Sequence, residues 1–146
     1  MATYTRYGHL GEHLLSGTID FLNGTIKVVL LSSSYGVDLD GHQFYSDLIG
    51  ELPTGNGYTA GGQALDGKSF SYDSGVDQTA ALADNSVWTP SEPDTPLTAR
   101  YAAVYADTGV GTTSPLIALV DFEADASALN ASLTVDWSDT GGVLAV

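Results

Sequence analysis

Residues 98 to 123 constrain the fold of this chain more than any other segment. Two apolar runs of strand length, Thr98 to Asp107 and Pro115 to Glu123, flank a loop of Gly, Thr and Ser, which is the pattern of two antiparallel strands. In the first run Tyr101, Ala103 and Tyr105 share one face, and Arg100, Ala102, Val104 and Ala106 the other. The second puts Leu116, Ala118, Val120 and Phe122 on one face. Ile117 and Leu119, on its opposite face, are also apolar until Asp121 and Glu123 end the run. A strand apolar on both faces belongs in the middle of a sandwich or against a neighbouring subunit. The chain therefore reads as a structural β protein.

The remaining segments extend that reading. Residues 5 to 22 hold the only helix-like stretch of useful length, with Tyr7, Leu10, Leu14 and Leu15 at helical spacing. Gly8, Gly11 and Gly17 weaken it by roughly 1 kcal/mol each relative to Ala, so it requires tertiary support. Asn23-Gly24 turns into a strand from Thr25 to Ser32. Residues 33 to 50 are mostly loop, with a short helix expected at 42 to 49. Tyr58 to Leu65 reads as a strand broken at Gly61-Gly62. Ser69 to Asp73 alternates, with Phe70 and Tyr72 predicted inward and Ser69 and Ser71 outward. Thr79 to Trp88 is a further strand candidate, followed by the rigid segment Pro90 to Pro96. Leu133, Val135 and Trp137 alternate with Thr134, Asp136 and Ser138, and Gly141-Gly142 then turns into Val143 to Val146. The expected fold is mainly β, an antiparallel β-sandwich or jelly roll of about eight strands with a short N-terminal helix. Residues 1 to 22 form the arm and helix, and 23 to 146 the sandwich.

Composition narrows the function classes. At 146 residues and 43% hydrophobic content, the chain can bury a core as one domain without metals or disulfides. Having no Cys, it has no disulfide framework, thiol nucleophile or Cys-based metal site. The N-terminus is polar and no apolar run approaches membrane-spanning length, so no membrane partner is expected. Eighteen acids against four bases (Arg6, Lys27, Lys68 and Arg100) give a net charge of −14. A phosphate-binding surface, and with it a nucleic-acid partner, is close to excluded.

Each candidate for chemistry has a plainer reading. His9-Leu-Gly-Glu12-His13 formally matches H-x-x-E-H, which on a helix would place both imidazoles on one face for a metal. Gly11 weakens that helix and no third ligand is evident, so two surface histidines are the better account. Asp38-Leu-Asp40-Gly41 with Asp47 suggests calcium, but an EF-hand fails where His42, Gln43 and Ile49 stand. Asp121, Glu123 and Asp125, or Asp136 and Asp139, could be cast as a glycosidase pair. With 14 Asp in the chain, chance pairs are expected. Gly55 to Gly62 lacks both a Walker Lys and Rossmann spacing. No catalytic residue, metal or cofactor is assigned. The aromatic residues Tyr4, Tyr7, Tyr35, Phe44, Tyr45 and Tyr58, in loop-like or terminal stretches, suit a sugar platform or a protein interface, although at least half should be core-edge residues.

The chain resembles a family of small tailed-bacteriophage virion proteins. The likeness is carried by the short N-terminal helix, the strand Thr25 to Leu30, the segment Gly57 to Gly62, the strand at Ala99-Arg100-Tyr101, that from Pro115 to Phe122, and an apolar C-terminal strand. It runs in order through nearly the whole chain. It implies a non-enzymatic virion component, foremost a capsid decoration (cement) protein on the outer surface of a phage head, assembled in the host cytoplasm. Expected partners are the major capsid protein and further copies of the chain, a trimer being usual for such proteins. An acidic chain should face away from packaged DNA. Tyr4, Arg6, Tyr7, Tyr35, Phe44 and Tyr45 are then the interface candidates. The alternative is a tail or fibre component that binds a receptor or glycan.

Overall fold

A computed structural model describes residues 2–137 and 142–146. The Gly141 half of the expected Gly-Gly turn, Ser138 and Asp139 lie outside the described residues. The protein is mainly β, with ten strands in antiparallel sheets among the described residues and one short α-helix near the N-terminus, in a sandwich-like arrangement.

The large sheet has the order β1 (Thr3–Arg6), β8 (Leu116–Ala128), β7 (Leu97–Ala106), β2 (Ile26–Leu31), β3 (Gln63–Ala64). Its centre is the strand pair that dominates the sequence. Each apolar face of that pair has its own cover from the same chain. Ile26, Val28, Leu30, Ala102, Val104, Ile117 and Val120 face one core, closed by Leu10 of helix α1 (Leu10–Leu15), by Phe21, Trp88 and Trp137, and by parts of two smaller sheets. These are β10 (Leu144–Ala145), β5 (Gln78–Leu82) and β4 (Ser69–Asp73) in that order, and β6 (Ser86–Trp88) paired with β9 (Leu133–Val135). On the opposite face Val29, Leu31, Tyr101, Ala103, Tyr105, Leu116 and Leu119 pack with Tyr7 and Tyr35 under Leu39, Tyr45 and Leu48. The second face is thus covered by the loop at 33 to 50, a strap laid over the sheet, and not by a second sheet.

Several elements differ from the sequence expectation. The helix shrinks to six residues, ending where Gly17 takes a left-handed φ of +77°. The segment read as an arm adds an edge strand, Tyr4 pairing with Val120 and Arg6 with Ala118. The stretch 79 to 88 splits into β5 and β6, which join different sheets. These two changes raise the strand count from about eight to ten. Tyr58 bridges only to Gly55 and residues 59 to 62 turn, leaving Gln63–Ala64 as the strand of this segment. A bulge lies between the Val104–Ala118 and Tyr105–Leu116 pairs, so Leu116 joins the strap-side core while Ala118 stays on the other. Strict alternation had placed the two together. A larger irregularity, with Glu123 at φ +66°, carries β8 on to Ala128.

Phe70 and Tyr72 correct a second expectation. They pair with Ala81 and Thr79, so Phe70 points to the side on which Ala81 is buried, yet every residue of β4 is exposed. The β5 strand of the hairpin joins the core through Ala81, while the outer strand β4 is left uncovered. Phe70 stacks on Phe21 at 5.9 Å between ring centroids. Side-chain parity follows from the pleat, but coverage depends on what lies beneath the strand.

Candidate functional site

The strap is held by a polar constellation that joins residues far apart in the chain. Glu51, just past the strap, is its hub. Its Oε1 accepts hydrogen bonds from the Tyr58 hydroxyl and the Gly61 amide, both at 2.6 Å, and its Oε2 from the Tyr45 hydroxyl at 2.5 Å. Tyr45 stacks on Tyr105 at 4.6 Å, and the Tyr105 hydroxyl donates to the Gly61 carbonyl. Tyr58 also accepts from the Leu30 amide, tying the 51–61 segment to β2. The Asn56-Gly57 turn has left-handed φ values of +52° and +84°, and Gly55 and Tyr58 exchange both backbone hydrogen bonds across it, which is hairpin geometry. A side chain at Gly57 would strike the Thr89 carbonyl at 2.0 Å. Burial, then the Glu51 carboxylate, pushes the Tyr45 and Tyr58 phenols well above the ordinary tyrosine value.

A second chain of groups runs through the strap-side core. The Tyr7 and Tyr35 hydroxyls share a hydrogen bond of 3.0 Å, and Tyr35 meets His42 Nδ1 at 2.8 Å. Tyr101 meets Tyr35 edge-on, with the Arg100 guanidinium 5.1 Å from the Tyr101 ring centroid. Burial pushes the Tyr7 phenol far up.

The six interface candidates fall in different settings. Tyr7 and Tyr35 are 2% and 3% exposed and act inside the protein. Tyr4 is half-buried, edge-on to Trp137, with its hydroxyl donating to the Asp136 carbonyl. Phe44 and Tyr45 are half-buried on the strap. Arg6 is exposed at the end of β1, between an open cleft of about 260 Å³ beside β10 and one of about 350 Å³ beside α1. The strap brings Tyr7, Tyr35 and Tyr45 into one cluster, whereas Tyr4 packs in the opposite core.

The other motifs are tied into the fold. His9 Nδ1 lies 3.0 Å from Glu12, and its Nε2 lies 3.1 Å from the Asp40 carbonyl, which accepts. His13 instead turns to Gln43 and the Phe44 ring. Asp38 caps the Gly41 amide, and Asp47 accepts from the Gln43 and Phe44 amides, which hold its carboxyl below the usual range. Asp121 is bridged by Arg100 at 2.9 Å, which lowers its pKa, and Glu123 accepts from Thr3. Lys27 pairs with Asp107 at 2.7 Å, and Lys68 donates to the Gly24 carbonyl at 2.5 Å. Three of the four bases are therefore spent inside the chain.

Sequence reasoning missed Glu51. It is a lone acid whose partners stand six, seven and ten residues further on or back. The one available signal was a single carboxylate among Tyr45, Tyr58 and Gly61. Comparison with known protein families, with curated proteins and with solved structures gave no match.

Proposed function

We propose that the chain is a non-enzymatic virion structural protein of a tailed bacteriophage, a decoration protein on the outer face of the head. Its partners in this reading are the major capsid protein and further copies of itself. The observation that carries the reading is the uncovered outer strand β4. Phe70 and Tyr72 on β4, and Val76 in the turn after it, are 53%, 63% and 61% exposed, and the outer edge of β4 has no partner strand among the described residues. Exposed aromatic groups on an open strand edge suit assembly, because main-chain hydrogen bonds and apolar burial are both still available.

Two further features support the reading. The ordered sequence resemblance runs through nearly the whole chain. The acid surplus is left at the surface while Lys27, Lys68 and Arg100 are tied internally, which favours a place away from packaged nucleic acid. Arg6, Phe44 and Tyr45 remain accessible for the capsid contact, and many linked copies would make weak contacts sufficient. Purified virions labelled with gold-tagged antibody against the chain, imaged by electron microscopy, test this. Gold over the head is expected. Gold at the tail tip would replace the decoration reading by that of a receptor- or glycan-binding tail component.

A further inference from the structure

All three histidines of the chain lie on one seam, where the N-terminal helix region meets the strap. His9, at the helix N-cap, holds the Asp40 carbonyl; His13, in the helix, meets the Gln43 amide at 3.1 Å and the Phe44 ring at 5.5 Å; His42, on the strap itself, meets Tyr35. Backbone bonds dock the strap both on the helix region and on the start of β8. The Gly8 amide donates to the Leu39 carbonyl at 2.8 Å, and the Tyr45 and Leu116 amides donate to the Ser114 and Gln43 carbonyls at 2.8 and 2.9 Å. Under the strap lies the apolar face of the large sheet.

We propose that this seam is an acid-released latch, closed while His13 is neutral and loosened when His13 takes up a proton. The proposal rests on the seam geometry and is independent of the virion reading. His13 is 9% exposed and packed against an aromatic ring. Charging it costs desolvation, and among the described residues no carboxylate is hydrogen-bonded to it to repay that cost. Gln43 can turn its amide to accept from the protonated ring, so the hydrogen bond survives; the lost hydration does not return.

The charged and titratable surroundings act in both directions. On the helix, Glu12 favours a charge at His13 and His9 opposes it. Glu12, and to a lesser degree the Asp40 carbonyl on the strap, favour a charged His9, and Asp38 and Asp47 on the strap lie beside the Tyr35–His42 end. Tyr7, Tyr101 and Arg100 line that end from the sheet side. The His9–Glu12 pair is exposed, so solvent screens its opposing effect, whereas His13 is buried. Burial, the largest influence, lowers the His13 pKa. The closed strap therefore binds the proton less readily than the open one. Its advantage is complete above the ordinary histidine value and is lost as pH falls through that value toward the closed-state pKa. Each pKa unit separating the two states multiplies the opening constant by about tenfold.

Hydrogen exchange on the full chain, between about pH 7.5 and about pH 5, tests the latch. The Gly8, Tyr45 and Leu116 amides report strap docking, and amides of the β2–β7 ladder serve as internal controls. After correction for intrinsic rates, the reporters are expected to exchange faster relative to the controls as pH falls, and the ratio should stay flat in His13→Gln. A flat ratio in the native chain, or an equal acid response in His13→Gln, would overturn the proposal. Should His13→Gln not fold, the His13 ring resonances of the native chain must titrate with the midpoint of reporter opening. A midpoint that follows His9 or His42 instead refutes it.

Discussion

Replacing Glu51 by Ala removes one side chain and orphans three donors. The Tyr45 hydroxyl is half-buried and can turn to water. Tyr58 is 2% exposed and cannot, and the Gly61 amide is fixed by its backbone. Hydrogen bonds to a charged group contribute about 1.5–3 kcal/mol each, and a buried donor left unpaired costs about 1–3 kcal/mol. Two such donors with partial relaxation give a loss of about 3–5 kcal/mol, or roughly 10 °C in Tm for a chain of this size. Glu51→Gln keeps the volume and one acceptor oxygen, so about 1–2 kcal/mol is expected. Urea unfolding followed by fluorescence of the buried Trp88 and Trp137 measures both. A double-mutant cycle with Tyr58→Phe should give a coupling of about 1–2 kcal/mol, because the two side chains share one hydrogen bond. If Glu51→Ala lies within about 0.5 kcal/mol of the native protein, the carboxylate does not pin the strap and the reasoning fails.

Gly62 has a φ of +80°, and a Cβ there would lie 1.9 Å from the Val28 carbonyl oxygen, so Gly62→Ala should displace β3 and cost more than about 2 kcal/mol in the same urea assay. The Tyr7, Tyr45, Tyr58 and Tyr105 phenols are all pushed up by burial, so their stabilising effect is complete below the ordinary value near pH 10 and is lost as pH rises past it. Phenolate absorbance should therefore show these four ionising together with alkaline unfolding; four independent titrations near pH 10 in the folded chain would contradict their burial. Asp107 and Asp121 are lowered by Lys27 and Arg100, so their contribution is present above the ordinary aspartate value and is lost as pH falls through the folded one. Asp121→Asn should cost only about 0.5–1 kcal/mol at neutral pH, since the bridge is partly exposed, and should flatten the loss of stability below about pH 4 in acid-unfolding curves.

Local patterning explains which elements were legible. The β7 and β8 strands, β2, β4 and β9 announce themselves by alternation or apolar runs, and Asn23-Gly24 marks its turn by chemistry. The β1 strand was hidden because Thr3-Tyr-Thr-Arg6 alternates polar residues around one tyrosine, and its partner Asp121–Ala118 stands more than a hundred residues away. Burial of Tyr7 and Tyr35 was equally hidden, since loop aromatics look alike until the loop has somewhere to lie. The three histidines were each visible, but nothing in their spacing placed His42 on the same seam as His9 and His13.

The sequence by itself determined that this would be an acidic, mainly β protein with a central strand pair apolar on both sides. Alternation and net charge are properties of residues in order, and need no partner to be read. Only the tertiary structure decided how the second face is covered. A second sheet, a neighbouring subunit or a loop would each satisfy the same apolar stripe, because burial of apolar surface is non-directional. The choice fell to the strap because Glu51, the tyrosine hydroxyls and the seam at α1 supply directional ties that hold residues 33 to 50 in place. Those ties join residues far apart in the chain, so they exist only once the fold has formed.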